Sequence, residues 1–299
     1  MLSLHTNVAS LSAQNSLSRT QSSLSTSMTR LSTGYRINSA MDDAAGLQIA
    51  TRLKAQSSGM SVAMRNTQNS ISMLQTADGA LDEVNNILTR MKDLATQSAD
   101  GSSSADDQTA MQAEYNSLTD ELSNIFSNTK FGGTKLLSTA ADTSKLSATA
   151  GVTFQIGADS SETMTANFST ELGTVNTSIS TATGATYAGD GTLAATPSAG
   201  TNLTTTAGAN TAIGDLSDAI DAVSALRSKL GAVSNRLDHV YNNLSNISSN
   251  TQAATGRIMD VDFATESSSM TSNQMLMQAG TAMLKQTNSM SSMVMSLLQ

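Results

Sequence analysis

The chain has 299 residues, a formal net charge of −8, no cysteine, 3% aromatic and 13% charged residues. That balance excludes the basic stripe nucleic-acid binding needs, and the lack of cysteine excludes a disulfide framework and thiol chemistry. With charges at about half the usual ~25%, solubility rests on hydroxyls and amides, and any core on Leu, Ile, Val, Ala and Met.

The opening residues Met1-Leu2-Ser3-Leu4-His5 show neither the cationic nor the apolar region of a secretory signal, so none is expected. No run approaches ~18 apolar residues, so no membrane span is expected. The first segment then reads as a helix with a thin apolar seam. Leu4 and Leu11 share one face, and Leu17, Leu24 and Leu31 follow at seven-residue spacing with Met28 alongside. The residues between them are mainly Ser, Thr, Asn and Gln, which are poor interior helix formers, so this seam is marginal alone. Gly34 interrupts the pattern, and Tyr35-Arg36-Ile37-Asn38 reads as a connector.

Ser39 and Asp42 have capping-box spacing, with Asp43 adding charge that favours a helix N-terminus. A long helix is expected over about 42–99, spanning roughly 85 Å. Leu53, Met60, Leu74, Leu81 and Leu88 share one seven-residue frame, Met64 and Ile71 accompany its first part, and Val84 and Met91 join after a slip near Asp78. Ser104 with Asp107 opens a shorter helix whose stripe is Met111, Tyr115, Leu118, Leu122 and Ile125. Phe131-Gly132-Gly133 breaks it.

In the middle, Val152–Gly157 alternates like a strand and can pair with Met164–Phe168 through a polar turn. No Lys or Arg occurs between Lys145 and Arg227. Residues 171–211 hold Gly, Thr, Ala and the sole proline, Pro197, without helical or strand periodicity, and read as a short variable surface insertion. Deleting about 175–208 is therefore expected to be tolerated.

Asp215 and Asp218 suggest a third cap. Leu216, Val223, Leu230, Leu237 and Leu244 form one heptad series and Ala219, Leu226, Val233, Val240 and Ile247 the other, the pattern of a coiled coil. The last helix, about 262–298, is Met-rich, with Phe263, Met270, Met277 and Leu284 in one frame. Eight of the 17 methionines fall after residue 258. Such flexible side chains substitute for Leu on a core face or serve an interface with more than one register.

No catalytic constellation is present. His5 and His239 lack metal-ligand spacing, and HExxH, Walker and GxSxG patterns are absent. Helix caps account for the paired carboxylates Asp42-Asp43 and Asp106-Asp107. No enzyme activity, cofactor or metal is expected.

Four motifs resemble bacterial flagellins. They are Leu31-Ser32-Thr33-Gly34-Tyr35-Arg36-Ile37-Asn38-Ser39-Ala40 with Asp42-Asp43-Ala44-Ala45-Gly46; Thr129–Leu137, where Gly132 replaces the usual Asn; Leu230–Leu237; and Asp262–Glu266 with Gln278–Leu284. The C-terminus departs from the family by lacking its usual proline between Gln286 and Leu298. The resemblance implies a subunit that polymerises into the extracellular flagellar filament for swimming motility and is exported unfolded through the flagellar type III apparatus. It also implies an export chaperone, hook-associated junction and cap proteins as partners. A hook–filament junction protein, a secreted helical adhesin or effector, and a filament-displayed enzyme are the competing classes. By the same resemblance, Arg90, Leu94 and Glu114 are candidates for a surface read by the vertebrate toll-like receptor for flagellin.

The expected fold is mainly α, a long antiparallel helical bundle or coiled coil with paired N- and C-termini, a small β-hairpin region and a short variable insertion. Residues 1–40 with 260–299 form the expected terminal coiled-coil domain, and 41–170 with 212–259 the helical rod domain. Leu24, Leu31, Phe263, Met270, Met277 and Leu284 are the candidate assembly seams. The candidate rod coiled coil uses Leu216, Val223, Leu226, Leu230, Val233, Leu237, Val240, Leu244 and Ile247.

Overall fold

A computed structural model describes residues 7–138, 144–187, 193–194 and 202–297. The described chain is mainly helical: α1 (Val8–Thr33), α2 (Ala44–Ala99), α3 (Ala105–Asn128), α4 (Ser169–Thr183), α5 (Thr206–Met259) and α6 (Phe263–Leu297). Three short antiparallel hairpins complete it: β1 (Lys130–Phe131) with β2 (Thr134–Lys135), β3 (Val152–Gln155) with β4 (Thr163–Ala166), and β5 (Thr186–Tyr187) with β6 (Leu193–Ala194). Two compact units divide the chain. One comprises residues 1–57 and 249–299; the other comprises 58–248. His5 lies outside the described residues.

The central unit, 58–248, holds the hydrophobic core. Ile71, Leu74, Leu81, Leu88 and Met91 of α2 meet Tyr115, Leu122 and Phe126 of α3 and Leu216, Val223, Leu226, Leu230 and Leu237 of α5 in one cluster. The slip near Asp78 has a structural counterpart. Ala77 is buried between Leu74 and Leu81, while Asp78 accepts from Arg227 Nε at 2.9 Å and Asp82 accepts from Arg227 Nη1 at 2.8 Å.

The start of α3 carries the expected capping box. The Ser104 hydroxyl accepts from the Asp107 amide, and the Asp107 carboxylate accepts from the Ser104 amide. The Ser104 hydroxyl, then its backbone, holds the Asp107 carboxyl below its usual range. The α2 cap differs from expectation. Asp42 accepts from the Asn38 and Ser39 amides in a turn, and Asp43 makes the capping contact, accepting from the Gly46 amide at 2.8 Å. The shift follows from geometry: α2 begins at Ala44, so only Asp43 stands beside its free amides.

Phe131-Gly132-Gly133, read as a break, is the reversal of a hairpin. Gly132 and Gly133 have φ of 58° and 82°, the left-handed pair of a two-residue turn, and they set Phe131 opposite Thr134. The β3–β4 hairpin pairs Phe154 with Met164 and buries both against the main core. That outcome matches the alternation of its strands.

Two boundaries move. Residues 171–183, assigned from sequence to a surface insertion, form most of α4, where Leu172, Val175, Ile179 and Ala182 are buried at helical spacing. Leu203 is buried as well, with its amide donating to Gln112 Oε1 at 2.7 Å and its carbonyl accepting from Ser98 Oγ. A 175–208 deletion would therefore remove core residues. Helix α5 starts at Thr206, ahead of the Asp215 cap. Ala212 and Ala209 are buried one and two turns before Leu216, and alanine's high helix propensity supports that extension without a large apolar stripe.

The stripe on α5 is also re-phased. Leu216, Val223, Leu226, Leu230, Leu237 and Leu244 are buried, Val233 and Val240 are half-buried, and Ile247 is exposed while Ser248 is buried. A straight helix repeats every 3.6 residues and drifts against a strict heptad, so by the fifth heptad the inward position has moved by one residue.

Two outcomes are expected in urea unfolding of the central unit. Ile179→Ala should cost about 2–5 kcal/mol, as a fully buried Ile does, whereas Ile247→Ala should cost under about 1 kcal/mol. A pH test concerns Glu171, which accepts a hydrogen bond from Lys229; that bond, first among several causes, holds its carboxyl below the ordinary 4.5. A depressed folded pKa stabilises above the unfolded value and is lost as pH falls through the folded one. Stability measured between about pH 7 and about pH 3 should thus fall less for Glu171→Gln than for the unsubstituted protein.

Candidate functional site

The terminal unit pairs α1 with α6. The Asn7 side chain accepts from the Ser10 amide to start α1, and Gly34 in the left-handed conformation, φ 74°, ends it by donating to Arg30 O at 2.9 Å. At α6 the Asp262 carboxylate accepts from the Ala264 and Thr265 amides at 3.0 and 3.3 Å. The Thr265 hydroxyl and then these amides hold Asp262 below the usual carboxylate range, and the charge suits a helix N-terminus.

Three contacts fix an antiparallel register. Arg30 Nη1 lies 3.6 Å from Glu266 Oε2, Gly280 packs beside Leu17, and Ser10 Oγ donates to Asn288 Oδ1 at 3.4 Å. The facing sides have heptad spacing but few large side chains. On α1 the half-buried line includes Ala13, Leu17, Thr20, Leu24 and Leu31, with Ser27 fully buried. On α6 it includes Met270, Asn273, Met277, Gly280 and Leu284, all half-buried.

Phe263, the remaining candidate of this set, is 59% exposed. Leu11 and Met28 also lie off the seam and are exposed, as are Val8, Met275, Leu276, Met283 and Met290. The terminal pair thus keeps much of its large apolar surface in solvent.

The segments joining these helices to α2 and α5 form a short ladder. The Arg36 amide donates to Met259 O at 2.6 Å, the Val261 amide donates to Gly34 O at 3.0 Å, and Arg36 Nη2 donates to Ile258 O at 2.9 Å. Tyr35 and Asp260 form an isolated antiparallel bridge. Ile37, which follows Arg36 of this ladder, is buried, and a Cβ on Gly46 would approach its Cδ1 to 2.9 Å. Sequence reasoning saw these positions as a signature and a connector. The pairing across more than 200 residues has no local signal, although the lone apolar Ile37 between polar neighbours hinted at burial.

On the central unit, Arg90 Nε and Nη2 both donate to Glu114 Oε1, at 2.9 and 2.6 Å, and both side chains are about half exposed. Leu94, the third member of the candidate receptor surface, is only 2% exposed, so it presents almost no area to a partner. His239 is exposed on α5. Among the described residues no group of acidic or imidazole side chains could hold a metal ion, and no helix is long and apolar enough to cross a membrane.

The described fold is that of a class built on long paired helices, with one pair whose seam is thin and whose large apolar side chains are exposed. Family models narrow the class. The bacterial flagellin N-terminal helical region matches residues 4–142, and the bacterial flagellin C-terminal helical region matches residues 213–298. The chain is 37% identical to flagellin A of Vibrio anguillarum, with all of both chains covered. That alignment of 385 positions exceeds the 299 residues here, so the relative carries segments this chain lacks. It is 36% identical to polar flagellin F of Vibrio parahaemolyticus, with 99% of each covered. A solved structure described as a flagellar hook-associated protein from Vibrio parahaemolyticus is 19% identical with a TM-score of 0.54, covering 73% of this chain and 100% of that one, and shares the fold alone. The chain belongs to the bacterial flagellin family. It is a structural subunit of the flagellar filament and not an enzyme.

The connector generates a test in the assembled protein. Gly46→Leu should displace Ile37 and speed hydrogen exchange of the Arg36 and Val261 amides by about tenfold or more, leaving amides around Leu226 protected. Unchanged exchange at Arg36 would show that Gly46 does not hold the ladder in place.

Proposed function

We propose that the subunit self-assembles through the terminal unit, with the α1–α6 seam closing each copy and the exposed apolar residues of both helices covered by further copies. The observation that carries this is where the large exposed side chains fall. Val8, Leu11, Met28, Phe263, Met275, Leu276, Met283 and Met290 all belong to this unit, whereas the central unit buries most of its large apolar side chains. Water-exposed apolar area of this extent in one region marks a surface meant for a partner.

On this reading, residues 1–40 with 260–299 form the inner part of the filament, and 41–170 with 212–259, joined by the core-packed α4, form the surrounding helical part. The seams Leu24, Leu31, Met270, Met277 and Leu284 supply too little burial for the pair to be stable alone, because helices without tertiary cover are marginal in water. Neighbouring copies then supply the missing stabilisation by mass action.

A marginal pair also suits export in an unfolded state through the flagellar type III apparatus, with a chaperone holding the C-terminal segment and the cap and junction proteins meeting the same terminal surfaces. The filament of this family lies outside the cell, and that is where we place this subunit. The Arg90–Glu114 pair remains the exposed part of a candidate receptor surface, with Leu94 beneath it.

Electron microscopy of subunits added to filament seeds tests the assembly face. The unsubstituted protein should elongate seeds. Leu276→Glu with Met283→Glu should reduce elongation by about tenfold or more, since two buried charges would lack partners, while the thermal transition of the central unit stays unchanged. Normal elongation by the double variant would refute the proposed face.

A further inference from the structure

Without cysteine, the sulfur chemistry of this chain is that of 17 methionine thioethers. A thioether needs no ionisation to react with a peroxide, so access to the sulfur governs which residues oxidise. The fold sorts these sulfurs by unit. In the central unit Met60, Met73, Met91, Met111 and Met164 are buried and Met64 is half-buried. In the terminal unit Met28, Met41, Met275, Met283 and Met290 are exposed, Met41 at 97%.

The exposed group has a pattern as well as a location. Leu276, Met283 and Met290 recur every seven residues on α6, with Met275 beside them, so they form one apolar line adjacent to the seam. The seam methionines Met270 and Met277 are half-buried against α1. A sulfoxide is polar and accepts hydrogen bonds, so forming it on the outer line opposes burial against another copy without first opening the core.

We propose that Met275, Met283 and Met290, with Met28 and Met41, form an oxidant-responsive modification site. Peroxides convert them to methionine sulfoxide in the free subunit, and this blocks self-assembly while the central unit stays folded. In each event the sulfur lone pair takes one oxygen atom, the peroxide O–O bond breaks, and the peroxide leaves as water. Sulfur is oxidised by two electrons and the peroxide is reduced by two; no group leaves the protein. A thiol-dependent sulfoxide reductase reverses the step, oxidising two thiols to one disulfide per sulfoxide and releasing the oxygen as water. The blocking of assembly rests on the reading that further copies cover this face; the selectivity among methionines does not.

Hydrogen peroxide titration of the purified subunit, followed by peptide mass mapping, tests the selectivity. Met41, Met283 and Met290 should gain one oxygen at least about tenfold faster than Met91 and Met164, because the buried sulfurs react only after local opening. Comparable rates at Met283 and Met91 in the folded subunit would overturn the site. Oxidised subunits should elongate seeds about tenfold more slowly than untreated ones and recover after treatment with methionine sulfoxide reductases. Assembled filaments exposed to the same dose should accumulate less sulfoxide at Met283 and Met290.

Met275→Leu with Met283→Leu and Met290→Leu keeps the line apolar and should make elongation resistant to peroxide. If that triple variant elongates but remains as sensitive as the parent, or if oxidised parent elongates normally, the inference is overturned. Failure of untreated parent to elongate seeds would overturn the proposed assembly face and the effect on assembly with it. The mapping result would still decide the selectivity.

Discussion

Burial of apolar side chains is the scarce resource in this protein, and its unequal distribution shapes both units. With few aromatics and no Trp, the large residues must be concentrated to form any core at all. They gather where α2, α3, α4 and α5 meet, and Tyr115 illustrates how closely that core is finished: it is fully buried with its hydroxyl donating to Ala182 O at 2.6 Å. The terminal pair receives the remainder. Ser27 is its buried residue on α1, and its seam contains Thr20, Asn273 and Gly280 where a self-sufficient coiled coil would carry Leu or Ile.

Polar contacts take over where burial is thin. Arg30 with Glu266 and the Arg36–Met259 and Val261–Gly34 bonds set register in the terminal unit without adding much apolar contact. Such interactions discriminate one alignment from another more than they stabilise it, since hydrogen bonds and partly exposed ion pairs contribute little net free energy in water. A helix pair built this way has its alignment encoded although its burial is thin. Membership of the flagellin family sets that arrangement in a filament subunit.

How much of this was legible in the sequence depended on how local the signal was. The Ser104–Asp107 cap and the β3–β4 alternation are written within a few residues, and both appear as expected. Helix α4 was missed because Thr and Ser surround its buried Leu172, Val175 and Ile179, and Ala182 continues the stripe with a residue that carries no strong hydrophobic signal. At Ile247 the heptad was legible but the phase was not. Small angular drift per turn accumulates over a 54-residue helix until the strict repeat and the buried face part company. Phe263 and Leu94 reverse each other's expectation: the first was read as a seam residue and is exposed, the second as a surface residue and is buried.

The sequence by itself determined five of the six helices, the Ser104 cap, the β3–β4 alternation and the family, because caps, propensities and short motifs act over one or two turns. Only the tertiary structure decided which face of each helix counts. It left Phe263 exposed, turned Leu94 inward, bonded the buried Leu203 to Gln112 and Ser98, and left Met275, Met283 and Met290 in water. Burial depends on what distant segments bring to the same place, and no local pattern contains that information.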